Sequence, residues 1–139
     1  MFLSDQDYQV VIGDQALRVI SQVSADVRTA AELAAIDEIS SYLRPKYDTQ
    51  AVFAATGSDR NHLIVTYTAD IALYHMSASL PQKMGADIRK ERYERAIAWL
   101  EGIQAGKVVP DLPVATDTDG NPVGFPLVYG SQRKLRHNW

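Results

Sequence analysis

Residues 24–45, SADVRTAAELAAIDEISSYLRP, decide the fold class of this 139-residue chain. Ser24 is a residue type that accepts hydrogen bonds from the free amides of a helix start, and Pro45 disfavours helical geometry at the residue before it. The stretch therefore predicts one helix over residues 25–43. The polar arc of this helix is narrow, so we expect neighbouring elements to cover the helix on more than one side. One third of the helical wheel holds Val27, Ala31, Ala34, Glu38 and Tyr42, and an adjoining apolar arc holds Ile36, Ile39 and Leu43.

Helical patterns recur on both sides of this stretch. Two long helices are predicted over residues 61–79, with Ser58 or Asp59 as the cap, and 86–105. Shorter ones are predicted over 4–12, over 14–22 with Asp14 as the cap, and around 49–54. The sequence thus predicts an all-α, compact bundle of three longer and about two shorter helices. The predicted core comprises Tyr42, Leu63, Tyr67, Ile71, Tyr74, Ile88, Trp99, Leu100 and Ile103.

The pattern changes after residue 107. Four of the six prolines lie beyond this point, which rules out a further helix. Asp119-Gly120 is a turn dipeptide flanked by apolar residues, so the segment can contain a short β-hairpin. We therefore divide the chain into a helical domain, residues 1–107, and an extended C-terminal arm, residues 108–139.

Composition excludes several classes of function. The chain has no cysteine, which rules out disulfides, thiolate nucleophiles and cysteine-based metal sites. Its formal net charge of −3 argues against a dedicated nucleic-acid-binding protein, which normally carries a basic excess. The N-terminal residues do not resemble a secretion signal, and no apolar run is long enough to span a membrane.

Asp70 is the only formally charged residue between Asn61 and Gln82, and it falls on a face that we expect to be buried. Arg92 falls on the buried face of the next predicted helix. Because buried charges are normally paired, we predict a structural ion pair between Asp70 and Arg92. Two alternatives stay open: Asp70 is solvated or bonded to a tyrosine, or it takes part in catalysis.

No arrangement of residues predicts a catalytic or metal site. His62, His75 and His137 do not combine with other ligand types at the spacing of a metal site, and Asp59 lies near His62 as a helix cap. Asp37 and Glu38 are adjacent and point apart on a helix, so a solvated face is the simpler interpretation. The glycines near residue 120 form no phosphate loop. The sequence predicts no catalytic residue, no metal and no cofactor.

The last residues are both apolar and basic. An arm with this many apolar residues must dock on another surface, and its basic end can pair with acids of a neighbouring subunit. Contact with phosphates or stacked bases is the alternative. The predicted partner-docking residues are Phe125, Leu127, Tyr129, Arg133, Lys134, Arg136 and Trp139.

Several stretches together resemble the small helical proteins of Mu-like phages and prophages that are grouped with head-tail connectors. They are MFLSDQDY at 1–8, DEISSYLRPKYD at 37–48, TADIALYHM at 68–76 and RYERAIAWLEGIQAGKV at 92–108. The ending YGSQRKLRHNW, residues 129–139, looks like the terminal segments of such proteins. The chain departs from the pattern between residues 49 and 62 and in the length of its arm.

This resemblance implies a structural subunit of a homo-oligomeric ring between the portal of a phage head and the tail or its stopper. It implies no catalytic residues, no small-molecule substrate and no membrane, with DNA contact only in the lumen of the ring. The protein is expected in the bacterial cytoplasm during assembly and then in the virion. Two rival hypotheses remain: a small DNA-binding helical module that uses the basic end, and an enzyme with an unrecognised site.

Overall fold

The computed structural model describes residues 1–77 and 86–123. In this part of the chain it contains six α-helices and no β-sheet, so the prediction of an all-α fold is confirmed. A turn of 3-10 helix, Gly57–Asp59, precedes the fifth helix. The helices are α1 (Asp5–Ile12), α2 (Asp14–Ile20), α3 (Ala25–Leu43), α4 (Thr49–Ala54), α5 (His62–Met76) and α6 (Ala86–Gln104).

Side-chain caps fix where the helices begin. Ser4 forms a capping box with Asp7 at the start of α1. Ser24 accepts from the amide of Val27 at the start of α3, as predicted. Two predicted caps are wrong. Asn61, instead of Ser58 or Asp59, accepts from the first amides of α5, because the 3-10 turn takes up the preceding residues. Asp14 is already inside α2, since Gly13 ends α1 with a φ of 81°.

Helix α5 is the centre of the bundle and packs against α3, α6 and α1. Every residue from Thr68 to Leu73 is buried, which is a whole turn and more without a solvated face. A helix that is covered all round must place any polar residue against a partner. Asp70 lies in the middle of this run.

The buried stripe of α3 takes Ala31 from the first predicted arc and Ile39 and Leu43 from the adjoining apolar arc. Ala31, Ala35, Ile39 and Leu43 form the buried stripe at spacings of four residues, whereas Val27 and Ala34 are exposed. Alanines on adjoining arcs make the two faces almost equally apolar, so the helical wheel alone does not choose between them. The observed stripe also buries two polar residues, Glu32 and Ser40.

The predicted core is partly right. Ile71, Leu100 and Ile103 are buried, and the side chains of Tyr42, Tyr67, Tyr74 and Trp99 are partly buried. Leu63 and Ile88 are 49% and 55% exposed, so their assignment to the core is wrong. Both lie in the first turn of their helices, and Ile64, which follows Leu63 about 100° further round α5, is fully buried in place of it.

Residues 108–123 return to the helical part of the chain. Leu112 is buried, and Tyr47 and Val114 form a β-bridge flanked by hydrogen bonds from Asp48 N to Pro113 O and from Ala115 N to Lys46 O. A second bridge, Thr116 to Pro122, closes a tight turn around the predicted Asp-Gly pair. The division of the chain at residue 107 stays a prediction, but the first half of the arm contacts the bundle.

Candidate functional site

The structure brings Asp70 and Arg92 together across α5 and α6. Arg92 Nε donates to Asp70 Oδ1 at 2.7 Å, with the Asp70 side chain 4% exposed and the Arg92 side chain 31% exposed. Arg89 lies one turn before Arg92, and its Nη1 atom is buried without a hydrogen-bond partner in the described part of the chain. Burial, and then the positive charge of Arg92, lower the pKa of Arg89 against the opposing effect of Asp70. The cluster joins two helices and carries an excess of positive charge.

A second polar cluster, centred on Glu38, joins α3, α5 and α6. Tyr93 donates its hydroxyl to Glu38 Oε1 at 2.6 Å, and His75 Nε2 lies 2.9 Å from Glu38 Oε2. The Tyr93 ring stacks on Tyr74 with 4.1 Å between ring centroids. The hydrogen bond to Glu38, and then burial, raise the pKa of Tyr93. The interpretation of Glu38 as part of a solvated face is therefore wrong.

The third cluster ties the N-terminus to α3 through a buried carboxylate. Glu32, 2% exposed, accepts from the amide of Leu3 at 3.0 Å and from the hydroxyl of Tyr8 at 3.3 Å. Burial, and then the negative charge of Glu32, raise the pKa of Tyr8. Arg28 lies over the Tyr8 ring and pairs with Asp5 on the surface. Nothing in the linear sequence marks Glu32, because its partners lie more than twenty residues away.

A bidentate ion pair between Arg60 and Asp7 closes the same end of the molecule. The two Nη atoms lie 2.6 and 3.1 Å from the carboxylate oxygens, and Nη1 also donates to Phe2 O at 2.7 Å. Burial alone would raise the pKa of Asp7, but hydrogen bonds from Arg60 and Ser4 outweigh it and hold that pKa below its ordinary value. The hydrogen bond to Asp7 also raises the pKa of Arg60.

These clusters pair their charges chiefly within the fold. Among residues 1–77 and 86–123, no three histidine or acidic side chains lie close enough to hold a metal ion. His62 is exposed at the start of α5, and His75 contacts Glu38. None of the helices in the described part of the chain is both long and apolar enough to cross a bilayer.

An open groove lies between α3 and α4, with a volume of about 880 Å³. We call it the α3–α4 groove. Ile36 and Phe53 supply apolar surface, Asp37 and Asp48 supply carboxylates, and Ala115 of the arm forms part of the rim. Asp48 is partly engaged as the cap of α4, where its Oδ1 accepts from Ala51 N at 3.0 Å. A concave surface that combines apolar and acidic groups fits a segment that is apolar and basic.

The seven predicted partner-docking residues, 125 to 139, lie outside the described residues. They remain candidates on their chemistry alone. The described surface adds two exposed apolar residues that the sequence predicted to be buried, Leu63 and Ile88. Exposed apolar side chains of this size are common contact points for partners when they are grouped.

A family model described as Bacteriophage Mu, Gp36 matches residues 3–124. This span includes all the helices described above and the part of the arm that packs on them. Neither the curated proteins nor the solved structures gave a match. The match confirms the predicted relationship to proteins of Mu-like phages and points to a structural or assembly protein. Because the family model matches most of the length of the chain, the chain belongs to the Bacteriophage Mu, Gp36 family.

Proposed function

We propose that this protein is a ring-forming connector subunit that joins the portal of a phage head to the tail or its stopper, without catalysis. The observation that carries the proposal is the family match over residues 3–124. A phage protein of this size that works by assembly needs a rigid body and a set of unpartnered contact residues.

Support for the rigid body comes from the polar clusters. Asp70, Glu38 and Glu32 each accept hydrogen bonds from a different helix or from the N-terminal segment. Charge-assisted bonds of this kind fix the relative position of helices as well as adding stability. Their geometry favours a structural role, since the three carboxylates bond residues of neighbouring elements and none of them lines the α3–α4 groove.

Support for the contact residues comes from the remaining surface and from the arm. Leu63 and Ile88 are half-exposed. Residues 131–139 of the arm contain three basic residues, Arg133, Lys134 and Arg136, and no acidic residue. Opposite charge on neighbouring subunits speeds their encounter and sets their orientation. The proposed partners are further copies of this chain, the portal, and the tail or stopper protein. The proposed locations are the bacterial cytoplasm during assembly and the virion.

The test is direct binding to the portal encoded by the same phage. Native mass spectrometry of the purified portal with increasing amounts of this chain should show a discrete complex with one full ring of added subunits. The triple variant Arg133→Glu, Lys134→Glu, Arg136→Glu should weaken ring formation at least tenfold, and Glu101→Gln, an exposed change on α6, should not.

Two results would overturn the proposal. The first is absence of any complex with the portal at concentrations well above those of the assay. The second is tight binding of the isolated chain to duplex DNA with a steep loss of affinity as salt rises, which is the behaviour of a DNA-binding module.

A further inference from the structure

A segment of matching chemistry is covalently joined to the rim of the α3–α4 groove. The amide of Val123 donates to Ala115 O at 2.9 Å, and Ala115 lines the groove. Val123 therefore lies at the edge of this surface. Sixteen residues follow Val123, and fully extended they would reach about 55 Å, several times the distance needed to cross a groove of this size.

The composition of residues 124–139 complements the groove. The segment contains apolar side chains and three basic residues, with no acid. The groove presents Ile36 and Phe53 together with Asp37 and Asp48, and Arg44 is the only basic residue among the groove residues in the described part of the chain. Apolar surface and opposite charge thus match on the two sides.

The distribution of charge over the chain points the same way. All seventeen acidic residues precede residue 124, and the fourteen basic residues less the three in the last segment leave eleven there. Residues 1–123 therefore carry a formal charge of −6, against +3 for residues 124–139. The long-range field draws the segment toward the rest of the chain and not into solvent.

We propose that the α3–α4 groove is the binding surface for residues 124–139 of the same chain. Because the segment is joined covalently to the rim of the groove, its effective concentration there is about 1 mM, roughly a thousandfold above that of a chain at micromolar concentration. In the isolated protein the segment therefore binds the groove of its own chain in preference to the groove of another copy.

The consequence for assembly rests on the proposed function. In a ring, the groove of the neighbouring subunit offers the same contacts at a similar effective concentration. The segment can therefore move from its own groove to the neighbour's without loss of contacts. The contact would hold the partner-docking residues on their own subunit until a neighbour is in place.

The chain has no native cysteine, which makes a two-cysteine test clean. Gln50 is exposed on the groove and Gln15 is exposed on α2, away from the groove lining. The full-length double variant Gln50→Cys, Asn138→Cys, treated with a short bis-maleimide at micromolar concentration, should cross-link within one chain at least tenfold faster than Gln15→Cys, Asn138→Cys.

Charge reversal adds a second arm to the experiment. At low salt, adding Asp37→Lys to the Gln50→Cys, Asn138→Cys variant should slow its cross-linking at least threefold. Adding Glu101→Lys, which makes the same change of net charge on α6, should leave the rate unchanged. Equal rates for the two cysteine pairs, products only between chains, or equal effects of the two lysine substitutions would overturn the proposal. The assay contains no portal, so its failure leaves the ring hypothesis standing, and failure to bind the portal leaves this result unaffected.

Discussion

Removing one partner of the Asp70–Arg92 pair at a time should cost unequal amounts of stability. The Asp70 side chain is 4% exposed, whereas the Arg92 side chain is 31% exposed. Arg92→Met leaves a buried carboxylate without its hydrogen bond, and Asp70→Ala leaves a guanidinium that can still reach water. The larger loss is therefore expected for the arginine variant.

The burial values set the size of the two effects. Loss of one partner of a buried pair costs about 3–5 kcal/mol, and Arg89 nearby offsets part of this, so we expect about 3 kcal/mol for Arg92→Met. A hydrogen bond to a charged group contributes about 1.5–3 kcal/mol, and solvation of Arg92 places Asp70→Ala near the lower end. At about 3 °C per kcal/mol for a chain of this length, the melting temperatures should fall by about 9 °C and 5 °C.

Urea unfolding followed by circular dichroism measures both free energies. Lys90→Met is the matched control, because Lys90 faces Glu94 across 3.9 Å on the exposed side of the same helix and should change stability by less than about 0.5 kcal/mol. The double variant Asp70→Leu, Arg92→Met should be more stable than Arg92→Met alone, since it leaves no buried carboxylate without a hydrogen bond. A cost for Asp70→Ala equal to or above that for Arg92→Met would refute the reasoning.

Three further changes test other parts of the fold. The pKa of Asp7 in the folded chain lies below its ordinary value of 3.8. Its contribution to stability is therefore present above pH 3.8 and is lost as pH falls through the folded-state pKa. In urea titrations from pH 5 to pH 2, Asp7→Asn should lose less stability than the unchanged chain. A Cβ at Gly102 would lie 2.9 Å from the Val108 Cγ2 atom, so Gly102→Ala should cost about 1 kcal/mol in the same assay despite its better helix propensity, and a stabilised variant would contradict this. A chain ending at Lys107 loses the burial of Leu112, and its free energy of unfolding should fall by about 2 kcal/mol or more; an unchanged urea midpoint would show that the arm adds no stability.

The helices and their ends were largely predictable from the sequence because local chemistry sets them. Ser24 and Pro45 bound α3 at the predicted residues, and the Asp-Gly turn at residues 119–120 forms as expected. The cap of α5 was misassigned, since Ser58, Asp59 and Asn61 are all good capping residues and only the 3-10 turn decides between them.

The orientation of the helices was harder to predict because it depends on distant neighbours. An alanine-rich helix such as α3 has two nearly equivalent faces, and the buried one is chosen by its contacts with α5 and α6. The clusters around Glu32 and Glu38 are not predictable from the sequence for the same reason. Each carboxylate meets partners from elsewhere in the chain, and no spacing along the sequence encodes these contacts.

The Asp70–Arg92 contact is predictable from the sequence because Asp70 is an unusual residue for its surroundings. A single charged residue within twenty apolar and neutral ones, on a helix that must be buried, requires a partner of opposite charge. The next helix offers Arg92 on the matching face. Arg89 was not anticipated, although it lies on the same side of α6 one turn earlier.

The central claim, a connector between head and tail, is tested most directly in lysates of the phage that encodes this chain. With the gene deleted, electron microscopy should show DNA-filled heads and complete tails that are not joined, and purified protein added to the lysate should restore joined particles. The same protein carrying Arg133→Glu, Lys134→Glu, Arg136→Glu should restore few or none. Normal joined particles in the absence of the gene, or a block before the heads are filled, would contradict the account.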